Sequence, residues 1–214
     1  MARIALFDMD GTLIDSGLDI TLSVNYVRHT RYSLEPLNVR SVVDAINAPS
    51  RNLSKIFYDT DVYEHEARIL FEEHYYEQCI QNATVYEGIG PLLENLKNMG
   101  FAMGVATNAP SVFAKRMLGH LGLEPYFDLI LGASDVELPK PHPQMIQKHL
   151  DYHRYRPGVD DAWMIGDNSK DMKAAKNAGI TGIFACWGFS AEGEGDFSAT
   201  EPAELLRIIG KNQA

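Results

Sequence analysis

The sequence is poor in cysteine, in basic residues and in long apolar runs. Of its 214 residues only two are cysteines, and Cys79 and Cys186 lie too far apart for a CxxC redox or zinc pair. A disulfide scaffold and a secreted hydrolase are therefore not expected. The prediction is a reduced, cytoplasmic setting.

Charge and hydropathy argue against two further classes of protein. Nineteen basic against 29 acidic residues give a net charge of −10, whereas a nucleic-acid-binding protein normally carries a basic stripe. No apolar stretch approaches the ~20 residues that a membrane-spanning helix needs. The first ten residues also lack the apolar segment and cleavage site of a secretory signal. We therefore expect neither a nucleic-acid partner nor a membrane.

Two common site patterns are missing as well. No zinc-ligand spacing is found among the histidines His65, His74, His120, His142, His149 and His153. The segment 88–90 (Gly-Ile-Gly) has no third glycine at the offset of a dinucleotide-binding loop and no preceding strand. A zinc site and a dinucleotide site are therefore not expected.

Short apolar runs alternate with helical patterns over most of the chain, whose 45% apolar and 22% charged residues are typical of a globular protein. The apolar runs predict buried strands at 3–7, 101–106, 127–131, 162–165 and 180–185. Helices are predicted at 91–99, 111–121, 143–153, 169–178 and 203–209. This alternation predicts an α/β fold with a doubly wound, Rossmann-like parallel sheet.

One long segment breaks this rhythm. Between about 17 and 85 there is no convincing buried strand, and Leu18, Leu22 and Tyr26 recur at helical spacing. We interpret 17–85 as a small all-helical insertion into a core formed by 1–16 and 86–214. The Gly- and Glu-rich segment 191–199 is interpreted as a surface loop.

The strongest chemical signal is the stretch 8–12 (Asp-Met-Asp-Gly-Thr), directly after the first predicted strand. In extended chain Asp8 and Asp10 face the same way, so that their carboxylates converge, and Gly11 permits a sharp turn that presents backbone N–H groups. Two converging carboxylates repel each other unless a cation or a proton lies between them. A calcium-loop fragment or an ordinary turn is the alternative interpretation.

A second acidic pair, Asp167 and Asp171, follows the strand predicted at 162–165. Acids at a strand end that opens a helix suit a hard, oxygen-seeking cation such as Mg²⁺. The alternative is helix capping, with Asn168 or Ser169 as the N-cap and the acids near the positive end of the helix dipole.

Two further strand ends carry groups that suit a phosphate. Thr107 and Asn108 follow the strand predicted at 101–106, and Lys140 lies in a proline-rich loop. Either group alone is usually only solvated. However, each falls at or just beyond the carboxyl end of a separate predicted strand, and that edge of an open α/β sheet is where ligands bind.

These four segments, in this order along the chain, resemble the four motifs of the haloacid dehalogenase superfamily. They are 8–12, Thr107-Asn108, Lys140-Pro141 and 166–171 (Gly-Asp-Asn-Ser-Lys-Asp). The insertion resembles the small helical cap of that superfamily. The sequence at 13–16, 86–88 and 187–189 (Trp-Gly-Phe) is similar to that of the superfamily's phosphoglycolate phosphatase-like branch. The resemblance covers essentially the whole chain.

The resemblance implies a role for each matching residue. Asp8 would be the nucleophile that forms an aspartyl-phosphate, and Asp10 would protonate the leaving alkoxide and later activate water. Thr107 and Lys140 would hold the phosphoryl oxygens, together with Gly11 and Asn108 around the substrate. The resemblance also implies a metal site, in which Mg²⁺ would be held by an Asp8 oxygen, the Asp10 carbonyl and Asp167, with Asp171 as an outer or alternate ligand.

The expected function is therefore the hydrolysis of a small phosphorylated metabolite by a monomer or homodimer. An acid at position 10 suits phosphate-ester hydrolysis, because it can protonate an alkoxide. A β-phosphoglucomutase-type phosphomutase and a catalytically idle binding module are the alternatives. Residues 45–53 depart from the glycine-rich pattern of the branch, so the substrate-selecting residues stay open, with Arg28, His29 and Arg51 as candidates.

Overall fold

The structure, a computed structural model, describes residues 1–48, 52–190 and 192–210. The chain divides into two units. One, the core unit, comprises Met1–Ile14 and the chain from Val85 onward, and the other, the helical unit, comprises Asp15–Thr84. No helix in the described ranges is long and apolar enough to cross a membrane.

The core unit is built on a sheet of six parallel strands in the order β5-β4-β1-β6-β7-β8. The strands are β1 (Arg3–Phe7), β4 (Ala102–Ala106), β5 (Leu129–Leu131), β6 (Asp161–Gly166), β7 (Thr181–Ala185) and β8 (Phe197–Ala199). The central strands are apolar almost throughout, because helices cover both faces of a parallel sheet. In β1, for example, four of the five residues are buried.

In the described part of the core unit, helices alternate with the strands along the chain. They are α5 (Ile89–Asn98), α6 (Ser111–His120), α7 (Gln144–Tyr152), α8 (Ser169–Ala178) and α9 (Glu204–Gly210), with 3-10 turns at Glu124–Tyr126 and Ala133–Asp135. Local signals set the bounds of α8. The Asn168 side chain accepts a hydrogen bond from the Lys170 amide at its start, and Gly179 ends it with a φ of 72°.

The five predicted strands and the parallel α/β fold are confirmed. The interpretation of 191–199 as loop was wrong at its end, because Phe197–Ala199 forms edge strand β8 beside β7. The three residues of β8 include only one buried side chain, so the sequence carries no apolar run there. Backbone pairing with β7, from Ile183 opposite Phe197, defines this strand instead.

Within the described part of the helical unit, four helices pack around an apolar core. They are α1 (Gly17–Tyr32), α2 (Val39–Asn47), α3 (Leu53–Tyr58) and α4 (His65–Gln78). Two-residue strands β2 (Ile14–Asp15) and β3 (Thr84–Val85) form a separate small sheet. Buried residues of the helical core include Val24, Val27, Val42, Phe57 and Tyr58.

The two ends of the helical unit are tied together by Asp19, which is fully buried in the first turn of α1. Its carboxylate accepts hydrogen bonds from the Gln78 side chain, from the backbone and side chain of Asn82, and from the Ala83 amide, at 2.7–3.0 Å. All these donors lie within the same unit. Asp19 thus joins the start of α1 to the end of α4.

Candidate active site

The carboxyl ends of β1 and β6 bring the two predicted acidic motifs side by side. The strands are neighbours in register, with Phe7 opposite Ile165, and the Asp8 amide donates to the Ile165 carbonyl at 2.8 Å. Asp8 and Asp167 therefore begin the loops that leave adjacent strands at the same level of the sheet. This is the edge at which open α/β sheets bind ligands.

Three carboxylates meet at this edge. Asp8, Asp167 and Asp171 are buried, and each offers an oxygen that lies within 4.8 Å of those of the other two. Oxygens of this kind are what Mg²⁺ prefers as protein ligands. The structure therefore brings Asp171 into the cluster together with the two predicted acidic ligands.

Lys140 joins two of these carboxylates. Its Nζ donates to Asp8 Oδ1 at 2.9 Å and to Asp171 Oδ1 at 2.5 Å, and its side chain is only 2% exposed. Burial alone lowers a lysine pKa, but the negative charges of Asp171 and Asp8 outweigh it and hold the pKa of Lys140 above its usual value. Lys140 therefore stays charged and positions both carboxylates.

Lys140 alone does not neutralise the three carboxylates of this cluster. Burial, together with the negative charges of Asp8 and Asp171, raises the pKa of Asp167 to about 8. Burial and the charge of Asp8 also raise the pKa of Asp171, although Lys140 opposes them. With all three acids ionised, the three negative charges exceed the one positive charge by two. The donor set and its charge thus fit a divalent cation.

The tight loop after β1 depends on Gly11. Its φ is +82°, and a Cβ at this position would lie 2.4 Å from Asp167 Oδ2. The amides of Thr12, Leu13 and Ile14 all donate to the Met9 carbonyl, which closes the loop. Asp10, in the same loop, is half-buried. A side chain at residue 11 would displace Asp167, so glycine is needed for space as well as for conformation.

The predicted phosphate-binding residues lie at the ends of β4 and in the loop before α7. Thr107 is 1% exposed, and its hydroxyl accepts from the Ala109 amide at 3.1 Å. Asn108 bonds to the backbone of Lys140 twice, donating to its carbonyl at 2.8 Å and accepting from its amide at 3.0 Å. Asn108 therefore fixes the loop that carries Lys140, and substrate binding by its amide stays a prediction.

Both oxygens of Asp171 are already bonded. Oδ1 accepts from Lys140, and Oδ2 accepts from the Asn168 amide at 3.1 Å, which completes a capping box at the start of α8. The capping interpretation therefore applies here, and Asp171 is also part of the acidic cluster. Gly166 makes room for this carboxylate, since a Cβ there would lie 2.4 Å from Asp171 Oδ2. Gly166 belongs to the motif at 166–171, but its packing role has no signal in the sequence beyond a glycine at a strand end.

Of the candidate substrate-selecting residues, Arg28 is hydrogen-bonded within the helical unit. It is buried in the helical unit, where its guanidinium donates to the carbonyls of Glu35 and Phe57. These bonds give it a structural role in that unit, and substrate contact by Arg28 stays a prediction. His29 is exposed on α1, and Arg51 lies outside the described residues.

Comparison with known proteins identifies the family. A model of the haloacid dehalogenase-like hydrolase family matches residues 5–185. A phosphoglycolate phosphatase from Aquifex aeolicus is 32% identical over 210 residues, which cover 97% of this chain and 96% of that protein. The relationship therefore extends through both units.

Solved structures have the same fold. A structure from Haemophilus somnus 129PT, described as a predicted phosphoglycolate phosphatase, superposes with a TM-score of 0.84 at 24% identity and covers 97% of each chain. A structure from Clostridium acetobutylicum, described as a predicted phosphatase, has a TM-score of 0.80 at 29% identity and covers 99% of each chain. The chain belongs to the haloacid dehalogenase-like hydrolase family and is a phosphatase of that family.

Proposed function

We propose that this phosphatase hydrolyses a small phosphate monoester with Mg²⁺ through an aspartyl-phosphate on Asp8. The observation that carries the proposal is the contact of Lys140 with both Asp8 and Asp171, next to Asp167. This contact places a carboxylate nucleophile, the positively charged lysine ammonium and a set of oxygen ligands close together. Phosphoryl transfer depends mainly on such positioning and charge neutralisation.

Asp8 is the carboxylate best suited to attack. Its side chain is 12% exposed, against 1% for Asp171, so it is the more accessible of the two carboxylates that Lys140 binds. In the first step an Asp8 oxygen bonds to phosphorus while the bond from phosphorus to the ester oxygen breaks. Asp10 gives its proton to that oxygen, which leaves as an alcohol.

In the second step water attacks the phosphorus of the aspartyl-phosphate. Asp10, now a carboxylate, takes a proton from the water, and the bond between phosphorus and Asp8 breaks to release inorganic phosphate. Lys140 and Thr107 hold the phosphoryl oxygens throughout. The Thr107 hydroxyl accepts from the Ala109 amide, which directs its own hydrogen elsewhere and suits it to donate to phosphate.

Asp8, the Asp10 carbonyl and Asp167 are the proposed Mg²⁺ ligands. When bound, the cation neutralises the charge of the phosphoryl group and of the surrounding acids. Asp171 is better placed as an outer group, because Lys140 and the Asn168 amide already take its two oxygens. Its role is then to hold Lys140 against Asp8.

For the substrate we propose phosphoglycolate or a metabolite of similar size, in line with the name of the Aquifex aeolicus relative. We further propose that residues 17–85 act as a cap that selects the leaving group. A cytoplasmic enzyme that works as a monomer or homodimer accords with this function.

The test is phosphate release from phosphoglycolate, sugar phosphates, nucleoside monophosphates and pyrophosphate, with Mg²⁺ and after removal of Mg²⁺ by EDTA. Asp8→Asn is expected to abolish release while its circular dichroism stays that of the wild type. Asp44→Asn, at a side chain 66% exposed on α2, is the matched control and should keep full activity. Restored Mg²⁺ should restore release.

Full activity of Asp8→Asn, or activity insensitive to EDTA, would contradict the proposed mechanism. Phosphate transfer that needs a sugar bisphosphate and returns phosphate to a sugar would identify a phosphomutase instead. Trapping of the phosphorylated enzyme, with mapping of the label to Asp8, would distinguish a covalent intermediate from direct attack by water.

A further inference from the structure

A short segment after β7 reaches back to the acidic cluster. We call Trp187–Phe189 the strap. The Phe189 amide donates to Asp167 Oδ2 at 2.9 Å, and the Trp187 indole N–H donates to the Thr12 carbonyl at 2.9 Å. One end of the strap thus holds an acidic side chain after β6, and the other holds the loop after β1.

The middle residue of the strap is in close contact with the loop after β1. A Cβ on Gly188 would lie 1.8 Å from the Gly11 carbonyl oxygen and 2.7 Å from Asp167 Cβ. On the opposite side, a Cβ on Gly11 would lie 2.8 Å from the Phe189 ring. Because Gly11 and Gly188 have no side chains, the backbone of the strap can lie in direct contact with the backbone of the loop and with Asp167.

The two oxygens of Asp167 consequently differ. Oδ2 accepts from the strap amide at 2.9 Å, whereas the contact of Oδ1 with the Thr12 hydroxyl is long, at 3.5 Å. When one oxygen of a carboxylate is held by a hydrogen bond, the other oxygen points in a fixed direction. The carboxylate then suits binding to a cation through that single oxygen. Such presentation suits Mg²⁺, which requires near-ideal octahedral geometry.

We propose that the strap is a positioning element that sets the affinity of the site for a divalent cation. It acts by holding Asp167 through Oδ2 and by fixing the loop that carries Asp8 and Asp10. The proposal rests on the proposed function, in which Asp167 is a cation ligand. Loss of hydrogen bonds that orient ligands typically weakens metal binding by about 10- to 100-fold.

The test measures the binding of Mg²⁺ alone by isothermal titration calorimetry, without substrate. Gly188→Ala forces the strap away from Gly11, and Trp187→Phe removes the indole N–H while it keeps an aromatic ring. Matched controls are Gly90→Ala and Trp163→Phe. Among the described residues, a Cβ at Gly90 meets no atom within 4 Å, and the buried indole N–H of Trp163 has no hydrogen-bond partner.

Both strap variants are expected to bind Mg²⁺ about 10-fold or more weakly, while both controls stay within twofold of wild type. In turnover, the concentration of Mg²⁺ for half-activation should rise for the strap variants. Because the strap also fixes the loop that carries Asp8 and Asp10, kcat at saturating Mg²⁺ should fall as well, but by a smaller factor. A general loss of structure would lower kcat without raising the Mg²⁺ concentration for half-activation. If Gly188→Ala does not fold, Trp187→Phe decides the question.

The Trp163→Phe protein supplies a second readout, because Trp187 is then its only tryptophan. Its emission is expected to change as Mg²⁺ binds, since the indole is bonded to the loop that carries the ligands. Strap variants that bind Mg²⁺ as tightly as wild type would overturn the inference and leave the proposed function intact. A wild-type protein that binds no Mg²⁺ would overturn both.

Discussion

The Lys140 ammonium lies 2.5 Å from the Asp171 carboxylate, and the two side chains are only 2% and 1% exposed. Removing both charges from water carries a large desolvation cost, which is offset by their contact and by the further bonds that each makes. Asp8 and the Asn168 amide provide those bonds. The pair therefore stays intact only while every partner is present.

Replacement of Lys140 by methionine is expected to destabilise the protein as well as to abolish turnover. The substitution leaves Asp8 and Asp171 buried without their cation, and loss of one partner of a buried pair costs about 3 kcal/mol or more. Urea denaturation in the presence of EDTA measures the loss. The control is Lys55→Met, which breaks an exposed pair with Asp59 and should change stability little. Equal stability of wild type and Lys140→Met would contradict this account.

Asp19→Asn is expected to destabilise the helical unit. The carboxylate accepts four hydrogen bonds, and an amide would turn its NH₂ group toward at least one of these donors. A buried donor left without a partner costs about 1–3 kcal/mol. Urea denaturation followed by circular dichroism gives the change, with Asp44→Asn on the exposed face of the same unit as control. A loss below about 0.5 kcal/mol would show that other contacts hold the two ends together.

Asp160 is expected to contribute stability that disappears in acid. Hydrogen bonds from the Arg156 side chain, and then from the Ala2 amide, hold the pKa of Asp160 below its usual value. The folded protein therefore binds this proton more weakly than the unfolded chain does. The contribution is complete above the unfolded pKa of about 4 and is lost as the pH falls through the folded value.

Wild type should accordingly exceed Asp160→Asn in stability at pH 7, and the difference should shrink steadily below about pH 4. Urea midpoints at a series of pH values measure this, with the exposed Asp151→Asn on α7 as control. A difference that stays constant from pH 7 to pH 2 would mean that the carboxylate charge does not contribute.

His149 should have a pH effect in a different window. It is fully buried, its Nε2–H donates to the Val105 carbonyl at 3.0 Å, and its Nδ1 has no hydrogen-bond partner among the described residues. Burial lowers the pKa of His149 from 6.5 to about 4. The unfolded chain therefore takes up the proton first, and stability falls as the pH drops from about 6.5 to about 4.

The total loss from this histidine is about 3 kcal/mol, because one pKa unit corresponds to about 1.4 kcal/mol. His149→Gln keeps an N–H donor but cannot titrate, so its stability should not show this loss as the pH falls. The control His120→Gln, at an exposed histidine, should show the same loss as wild type. Comparing the pH slopes of the three proteins isolates the effect, since the acidic cluster is common to all. Identical slopes for wild type and His149→Gln would rule it out.

The sequence was sufficient to predict the strands that carry the site. Asp8, Thr107 and Asp167 each follow an apolar run, and parallel strands place their carboxyl ends at one edge of the sheet. The register of β1 with β6 then determines that Asp8 and Asp167 are neighbours. Periodicity and strand order together therefore account for the general location of the site.

The contacts that refine the site could not be predicted in this way. Asn108 bonds to the backbone of Lys140, 32 residues away, and Phe189 bonds to Asp167, 22 residues away. Bonds between side chains and backbone across such separations leave no periodic pattern in the sequence. Similarly, Gly166 and Gly188 are required by close approach to other groups, which only the three-dimensional structure reveals.

The central place of β1 in the sheet has a consequence for the order in which the molecule is assembled during synthesis. Ile4 pairs with Ala102 on one side and with Ala162 on the other, so β1 is made first but has no partner strand until about half of the chain exists. At about 5–20 residues per second, it waits several seconds on the ribosome. The whole of Asp15–Thr84 is made in that interval. The loop that carries Asp8 is therefore encoded early but is held in place only after β6 has been synthesised.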